Sequence, residues 1–333
     1  MARPSTVGLF GFRLASGLHL GHVVGNVRPA IADMKRKEII VILADLFSYS
    51  SERGEDISLK NALGVVAECL ALGLTSKNVR FAVQSEAFQG LLPLYTILGC
   101  LLNFRKLRKT RPLSKLMAST DLSFAAVSFP VVQCAELVAT RADTLYSNVD
   151  NLGLVSLAKH LVQRLRTTTG VELPLPRLQS GELEQVTGLD SDKMSNSRGN
   201  ALFLDDPPKA VKRKIVKIRT DQTEGTDFDL GLVFEYLAIL GVSADQLASW
   251  RDSVRRENMT ALQLKNVLAD IAVQEFGEVN EKKRNYLASK ADLVERIRRD
   301  TQAVRKRVET NVAELWHGFY EKEFYETFKR VEG

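Results

Sequence analysis

An α/β fold, built on a doubly wound parallel sheet and followed by an all-helical C-terminal unit, is predicted by three features of the sequence. Short runs of branched apolar residues alternate with segments whose apolar positions recur every three to four residues. The first run leads straight into a glycine-rich strand-to-helix junction. Beyond Asp205 the strand-like runs stop, and helical periodicity continues nearly to the end.

Val7 to Phe12 reads as a short buried strand, with Gly11 and Gly17 marking the turn that follows it. The spacing of Val23, Val27, Ile31 and Met34 predicts a helix reaching Lys37. Glu38 to Leu46 has the composition of a strand buried on both faces. Asp45 at its carboxyl end either faces a ligand crevice or caps a helix. A helix over Leu59 to Leu74, closed by Gly73, precedes a third strand over Asn78 to Gln84. Leu91 to Leu107 reads as one apolar helix grading into a basic run from Arg105 to Lys115, either a solvated face or a phosphate contact. Val155 to Leu165 is helical, 171–176 a linker and 181–199 a flexible loop rich in Gly, Ser, Asp and Asn. Asp206-Pro207-Pro208 starts the next helix, striped by Val211, Ile215 and Ile218, with its basic residues either solvated or in contact with a polyanion. The charged stretch 281–310 reads as a surface helix pair. A boundary is placed between residues 204 and 205.

The junction Leu14-Ala15-Ser16-Gly17-Leu18-His19-Leu20-Gly21-His22-Val23-Val24-Gly25-Asn26 holds two of the chain's four histidines. Backbone N–H groups at a helix start attract anions, phosphate above all. His19 and His22, three residues apart on a first turn, point the same way and can both donate to phosphate oxygens. Gly21 between them allows a flat ring or a phosphate to approach the backbone. A metal pair is disfavoured, because no Cys or third His lies nearby. On spacing alone, phosphate binding and incidental surface histidines are equally good readings.

In 333 residues, 45% of them hydrophobic, there is enough apolar material for two cores. No apolar run reaches membrane-spanning length and Met-Ala-Arg-Pro-Ser-Thr lacks the form of a signal peptide, so a cytoplasmic protein is expected. Cys69, Cys100 and Cys134 are expected as reduced core residues, with no disulfide framework or zinc site. A net charge of +6 permits a polyanionic partner without requiring one.

His19-Leu20-Gly21-His22 resembles the His-Ile-Gly-His signature of class I aminoacyl-tRNA synthetases. Ser16 to His22 followed by Gly25 looks most like the tryptophanyl branch. Lys193-Met194-Ser195-Asn196-Ser197 resembles the second signature, Lys-Met-Ser-Lys-Ser, with Asn196 in place of lysine. Two signatures in the right order and at about the right separation are far more specific than one.

The resemblance implies a Rossmann-like catalytic domain with a helical, anticodon-binding-like domain. The activity it implies is ATP-dependent formation of an aminoacyl-adenylate, with Mg²⁺ as the metal and none held by protein side chains, then transfer to tRNA. It implies catalytic roles for His19, His22, Lys193 and Ser195. ATP would contact Ser16, Gly17, Gly21, Gly25, Asp150, Asn151 and Met194, with Asp150 on the ribose and Gly21 admitting adenine. The amino-acid pocket would be formed by Arg13, Asp45, Phe47, Phe129, Gln133 and Glu136. Val83-Gln84-Ser85 matches a family strand end, and Lys106, Lys109 and Lys115 fall where the family has a lysine loop near the phosphates. The family's homodimer forms around residues 90 to 135.

Departures gather on the amino-acid side. Arg13 stands for glutamine, Phe47 for histidine, Gln133 for methionine and Glu136 for the aspartate that binds the indole N–H. Tryptophan or an indole-like analogue is therefore the expected acid. A relative activating another acid or using another acceptor, and a non-enzymatic tRNA-binding paralogue, are the alternatives; the intact histidines weigh against the last.

Overall fold

A computed structural model describes residues 6–14, 16–50, 58–108, 123–181, 183, 185–195, 198–218 and 230–320. Five parallel strands, β1 (Val7–Arg13), β2 (Glu38–Ala44), β3 (Val79–Val83), β4 (Thr144–Tyr146) and β5 (Arg177–Gln179), form one sheet in the order β3-β2-β1-β4-β5. The first three are the expected strands; β4 and β5 are additional, and the linker over 171–176 leads into β5. From β1 the chain steps outward to β2 and β3, then returns to place β4 on the other side of β1. That reversal opens a crevice at the carboxyl ends of β1 and β4, where open α/β sheets bind their ligands. Ile39, Ile40, Val41 and Leu43 of β2 are all fully buried, as its unbroken apolar run requires.

Helix α1 covers 20–33 as an α turn (Leu20–His22), a π turn (Val23–Val27) and a final α segment (Arg28–Asp33). Single π turns inside helices recur at functional sites. It is followed by α2 (Leu59–Ala71), α3 (Leu92–Leu101), α4 (Phe124–Thr140) and α5 (Leu152–Thr169). Gly73, at φ +104°, supplies the left-handed turn that ends α2. The helix expected over Leu91 to Leu107 is broken at Leu102, whose backbone is extended; Asn103 then caps a separate turn, Phe104–Leu107, by accepting from the Arg105 N–H. Cys69 and Cys134 are buried as expected, but Cys100 is exposed, off the stripe of α3 that buries Leu94, Ile97 and Leu98.

Beyond residue 205 the described elements are all helical: α6 (Pro208–Val216), α7 (Gly231–Ile239), α8 (Ala244–Arg255), α9 (Ala261–Ala288) and α10 (Lys290–Phe319). The stretch expected as a surface pair is the end of α9 and most of α10, and Leu293, Ile297, Val304 and Val308 are buried. Helix α9 packs on α2 and α6, so Leu264, Leu268 and Ala272 share one apolar cluster with Phe10, Val41 and Val66. Helix α10 covers the sheet edge. The buried Asp300 carboxylate accepts from the Phe81 N–H (3.3 Å) and the Thr301 hydroxyl from the Val83 N–H (3.1 Å), so β3 has outward N–H groups paired with side chains. Arg80, Arg296 and Arg299 surround Asp300 at 3.4 to 3.6 Å. No described helix is long and apolar enough to cross a membrane.

Candidate active site

Both signatures meet at the crevice. The first follows β1, and its backbone is tied to the segment behind the second: the Leu20 N–H donates to the Leu202 carbonyl (3.1 Å), and the Leu204 N–H to the Leu18 carbonyl (2.9 Å). The His19 and His22 rings stack at 3.7 Å between centroids and 21° between planes. His22 lies edge-on to Phe12 and His19 edge-on to Phe203. His19 is 6% exposed, so it is a packed residue and not the incidental surface histidine that the spacing also allowed.

Burial, followed by the nearby Lys193 charge, lowers the His19 pKa to about 4. His22 is also lowered well below its ordinary value, by burial, then by His19 and Lys193. Both rings are therefore neutral at neutral pH. His22 Nδ1 accepts from the His19 N–H (3.4 Å), which leaves the proton of a neutral ring on Nε2 as a donor. His19 Nδ1 is buried without a hydrogen-bond partner, a position a ligand oxygen can fill.

Gly21 has a different neighbour from the one expected. A Cβ there would lie 2.8 and 2.9 Å from His19 ring atoms, so the flat ring against this glycine is the preceding imidazole. Gly17 is likewise hemmed in by Asp205 and Glu68, and Gly25 by the Asn148 side chain. These three glycines serve close packing within the protein. Ser16 is half-buried on the approach to His19.

In the second signature Met194 is buried, with its sulfur 3.7 Å from where a Gly21 Cβ would stand. Lys193 forms an ion pair with Asp150, in the turn Val149–Asn151 after β4. Asn151 Nδ2 donates to the Ser147 hydroxyl at 2.5 Å. The loop expected to be flexible is organised around Asn200, a residue that sequence reasoning missed. Asn200 is 4% exposed; its Oδ1 accepts from the Ser195 N–H (2.8 Å), and its Nδ2 donates to Asp190 (2.7 Å) and the Lys193 carbonyl (3.0 Å). A Cβ at Gly188 would collide with it. The Gly199-Asn200 pair, with Gly199 at φ +67°, was the available signal. Asn196 lies outside the described residues, as do Lys109 and Lys115. Lys106 is described, and it sits beside His160 on α5, whose proton affinity falls through partial burial and then the charges of Lys106 and Arg164.

On the amino-acid side, Phe47 and Phe129 stack at 3.9 Å, and the Arg13 guanidinium lies 4.1 Å from the Phe47 ring centroid. Glu136 is 4% exposed and its Oε1 accepts from Gln84 Nε2 at 2.5 Å. Gln84 in turn accepts the Phe47 N–H at 3.1 Å. Burial raises the Glu136 pKa to about 7, against the opposing bond from Gln84. Gln133 is half-buried on the same helix, α4. Asp45 acts as a cap, the second of its two sequence readings. Its two oxygens take the Ser85 N–H (2.9 Å) and the Ser85 hydroxyl, and so hold the turn Gln84–Ala87. Among the described residues no group of three or more His, Cys, Asp or Glu side chains is placed to hold a metal ion.

Neutral imidazole donors and a lysine side by side at a switch-point crevice are suited to binding phosphate oxygens. Comparison with known proteins agrees with that chemistry. The curated tryptophan–tRNA ligase of Treponema pallidum is 28% identical over 274 residues, covering 78% of this chain and 81% of the relative. That of Streptococcus mutans is 24% identical, over 92% of this chain and 95% of the relative. The tryptophanyl-tRNA synthetase of Campylobacter jejuni, solved with ADP and tryptophan, superposes with a TM-score of 0.79 at 21% identity, covering 94% of this chain and 99% of that one. Residues 6–293 match the family model described as class I tRNA synthetases (W and Y), and this chain therefore belongs to that family.

Proposed function

We propose that the protein activates tryptophan with ATP and transfers it to tRNA. The observation that carries this reading is the meeting of the two signatures, with His19, His22, Met194 and Lys193 gathered at the carboxyl ends of β1 and β4. The curated relatives, tryptophan–tRNA ligases, support tryptophan as the acid.

The tryptophan carboxylate attacks the α-phosphorus of ATP in line, pyrophosphate leaves, and the acyl group then passes from the adenylate to a ribose hydroxyl of tRNA with release of AMP. The protein contributes mainly position and charge. His22 Nε2–H and the His19 ring donate to phosphate oxygens as charge builds. Each bond of this kind, neutral donor to ionised acceptor, contributes about 1.5 to 3 kcal/mol. Lys193 leaves Asp150 for the pyrophosphate side, which releases Asp150 to the ribose; Asn200 holds the Lys193–Ser195 backbone during that exchange. Glu136 accepts the indole N–H, with Gln84 fixing its orientation, while Phe47, Phe129 and Gln133 line the pocket. Magnesium would travel with the nucleotide phosphates, since the described residues offer no cage for it.

Residues 205–333 serve as the tRNA-binding unit, with the basic face of α6 (Lys209, Lys212, Arg213) turned outward. The enzyme works as a homodimer in the cytoplasm. Exposed Leu92, Phe104 and Phe124 support the dimer face, although Leu94, Ile97, Leu98 and Leu101 account for most of the apolar character of α3 by packing internally. ATP–pyrophosphate exchange across the twenty amino acids tests the reading. Tryptophan should give the strongest signal, and strong exchange with an aliphatic acid alone would overturn it.

A further inference from the structure

Glu68 on α2 is completely buried, and the proposed reaction gives its carboxylate no role. One oxygen accepts the backbone N–H of Leu18 at 2.8 Å, immediately before His19. The other accepts from Lys283 of α9 at 2.6 Å, and Lys283 also lies 3.9 Å from Asp205. Three residues earlier on α9, Asn280 donates to the Leu204 carbonyl at 2.6 Å, and the Leu204 N–H holds the Leu18 carbonyl. One face of α9 thus grips both the loop of the first signature and the segment that follows the second.

We propose that Lys283 and Glu68 are positioning residues for adenylate formation: Lys283, from the helical unit, holds the buried carboxylate that fixes the Leu18–His19 backbone and so aims the two imidazoles. This rests on the function proposed above. The physical logic is that a buried carboxylate holds its geometry only while its charge is met, and removal of one partner of such a pair leaves the other uncompensated. The Leu18 peptide sets the direction from which His19 enters the crevice. The pair therefore acts on catalysis through the loop and never touches the reacting atoms.

The test compares Lys283→Met, Glu68→Gln and the double variant in tryptophan-dependent ATP–pyrophosphate exchange, with rates normalised to active sites titrated by adenylate burst. Lys283 lines a cavity of about 450 Å³, so methionine has room there. Lys283→Met should lower kcat per active site about 10-fold with the tryptophan KM within about twofold. In the double variant the glutamine amide oxygen still accepts the Leu18 N–H without a buried charge, and kcat should return to within about threefold of the parent. A structural role alone would reduce the number of active sites and the melting temperature while leaving kcat per site unchanged, and that result overturns the proposal. So does a double variant as slow as the single one. If the parent itself shows no exchange, the functional reading fails separately. Amide hydrogen exchange at Leu18 then decides this inference: faster exchange in Lys283→Met, reversed by Glu68→Gln, supports it, and unchanged exchange refutes it.

Discussion

Replacing Glu136 by glutamine should stabilise the free protein increasingly as pH rises, while weakening its recognition of tryptophan. The carboxylate is 4% exposed, and burial raises its pKa from 4.5 to about 7. A folded-state pKa above the unfolded value favours the protonated form. The associated stability is fully present below the unfolded pKa, near 4.5, and is lost as pH rises through the folded value, near 7. Between pH 5 and pH 8 the loss amounts to roughly 2 to 3 kcal/mol. Glutamine cannot ionise and keeps an oxygen for the Gln84 amide, so Glu136→Gln should avoid that loss. Burial of His19 works in the opposite direction, since its depressed pKa makes stability fall as pH drops from about 6.5 towards 4. The difference between variant and parent cancels that contribution. Urea denaturation at pH 5, 6, 7 and 8 would read it directly. In exchange kinetics the parent's tryptophan KM should fall about 10-fold from pH 6 to pH 8 as Glu136 ionises, and the variant's KM should be high and flat. A stability difference that does not grow between pH 5 and pH 8 would refute the burial argument, whatever the kinetics show.

His19→Ala and His22→Ala should each lower adenylate formation about 10-fold to 1000-fold and also cost about 1 to 2 kcal/mol of stability, because both rings are packed, on each other and on Phe203 and Phe12; exchange rates and urea midpoints measure the two effects. Parent-like exchange in both would remove the histidines from the mechanism. Gly21→Ala should displace the His19 ring and slow exchange more than about 10-fold, while tryptophan binding measured by calorimetry is unchanged. Light scattering at micromolar concentration should show a dimer, and a monomer there would reassign exposed Leu92, Phe104 and Phe124.

The parts of the fold legible in the sequence were those where one physical demand acts over many residues. β2 sits between two helical layers, so its whole length is apolar, and the junction after β1 concentrates glycine and histidine in one place. β4 and β5 escaped because each is three residues long and mixes polar with apolar, as in Thr144-Leu145-Tyr146. Asp45 was ambiguous for a sound reason: a carboxylate at a strand end serves a ligand or a helix cap equally well, and its cap partner, Ser85, is 40 residues away. Gly21 shows the limit most clearly. Its need for a bare backbone was readable, but the ring that occupies the space belongs to His19 and not to a ligand. The Glu68–Lys283 pair acts through a tertiary contact across 215 residues and leaves no local pattern. Asn200 binds within ten residues of itself, and its local signal was the Gly199-Asn200 pair. The apolar helix α3 looked like an interface and is mostly core.

Charging of tRNA with labelled tryptophan tests the central claim most directly. The account predicts ATP-dependent, acid-precipitable label on the tRNA 3′ end, lost in His22→Ala at least about 10-fold. Robust tryptophan-dependent pyrophosphate exchange without any label on tRNA would contradict it and assign the adenylate to another acceptor.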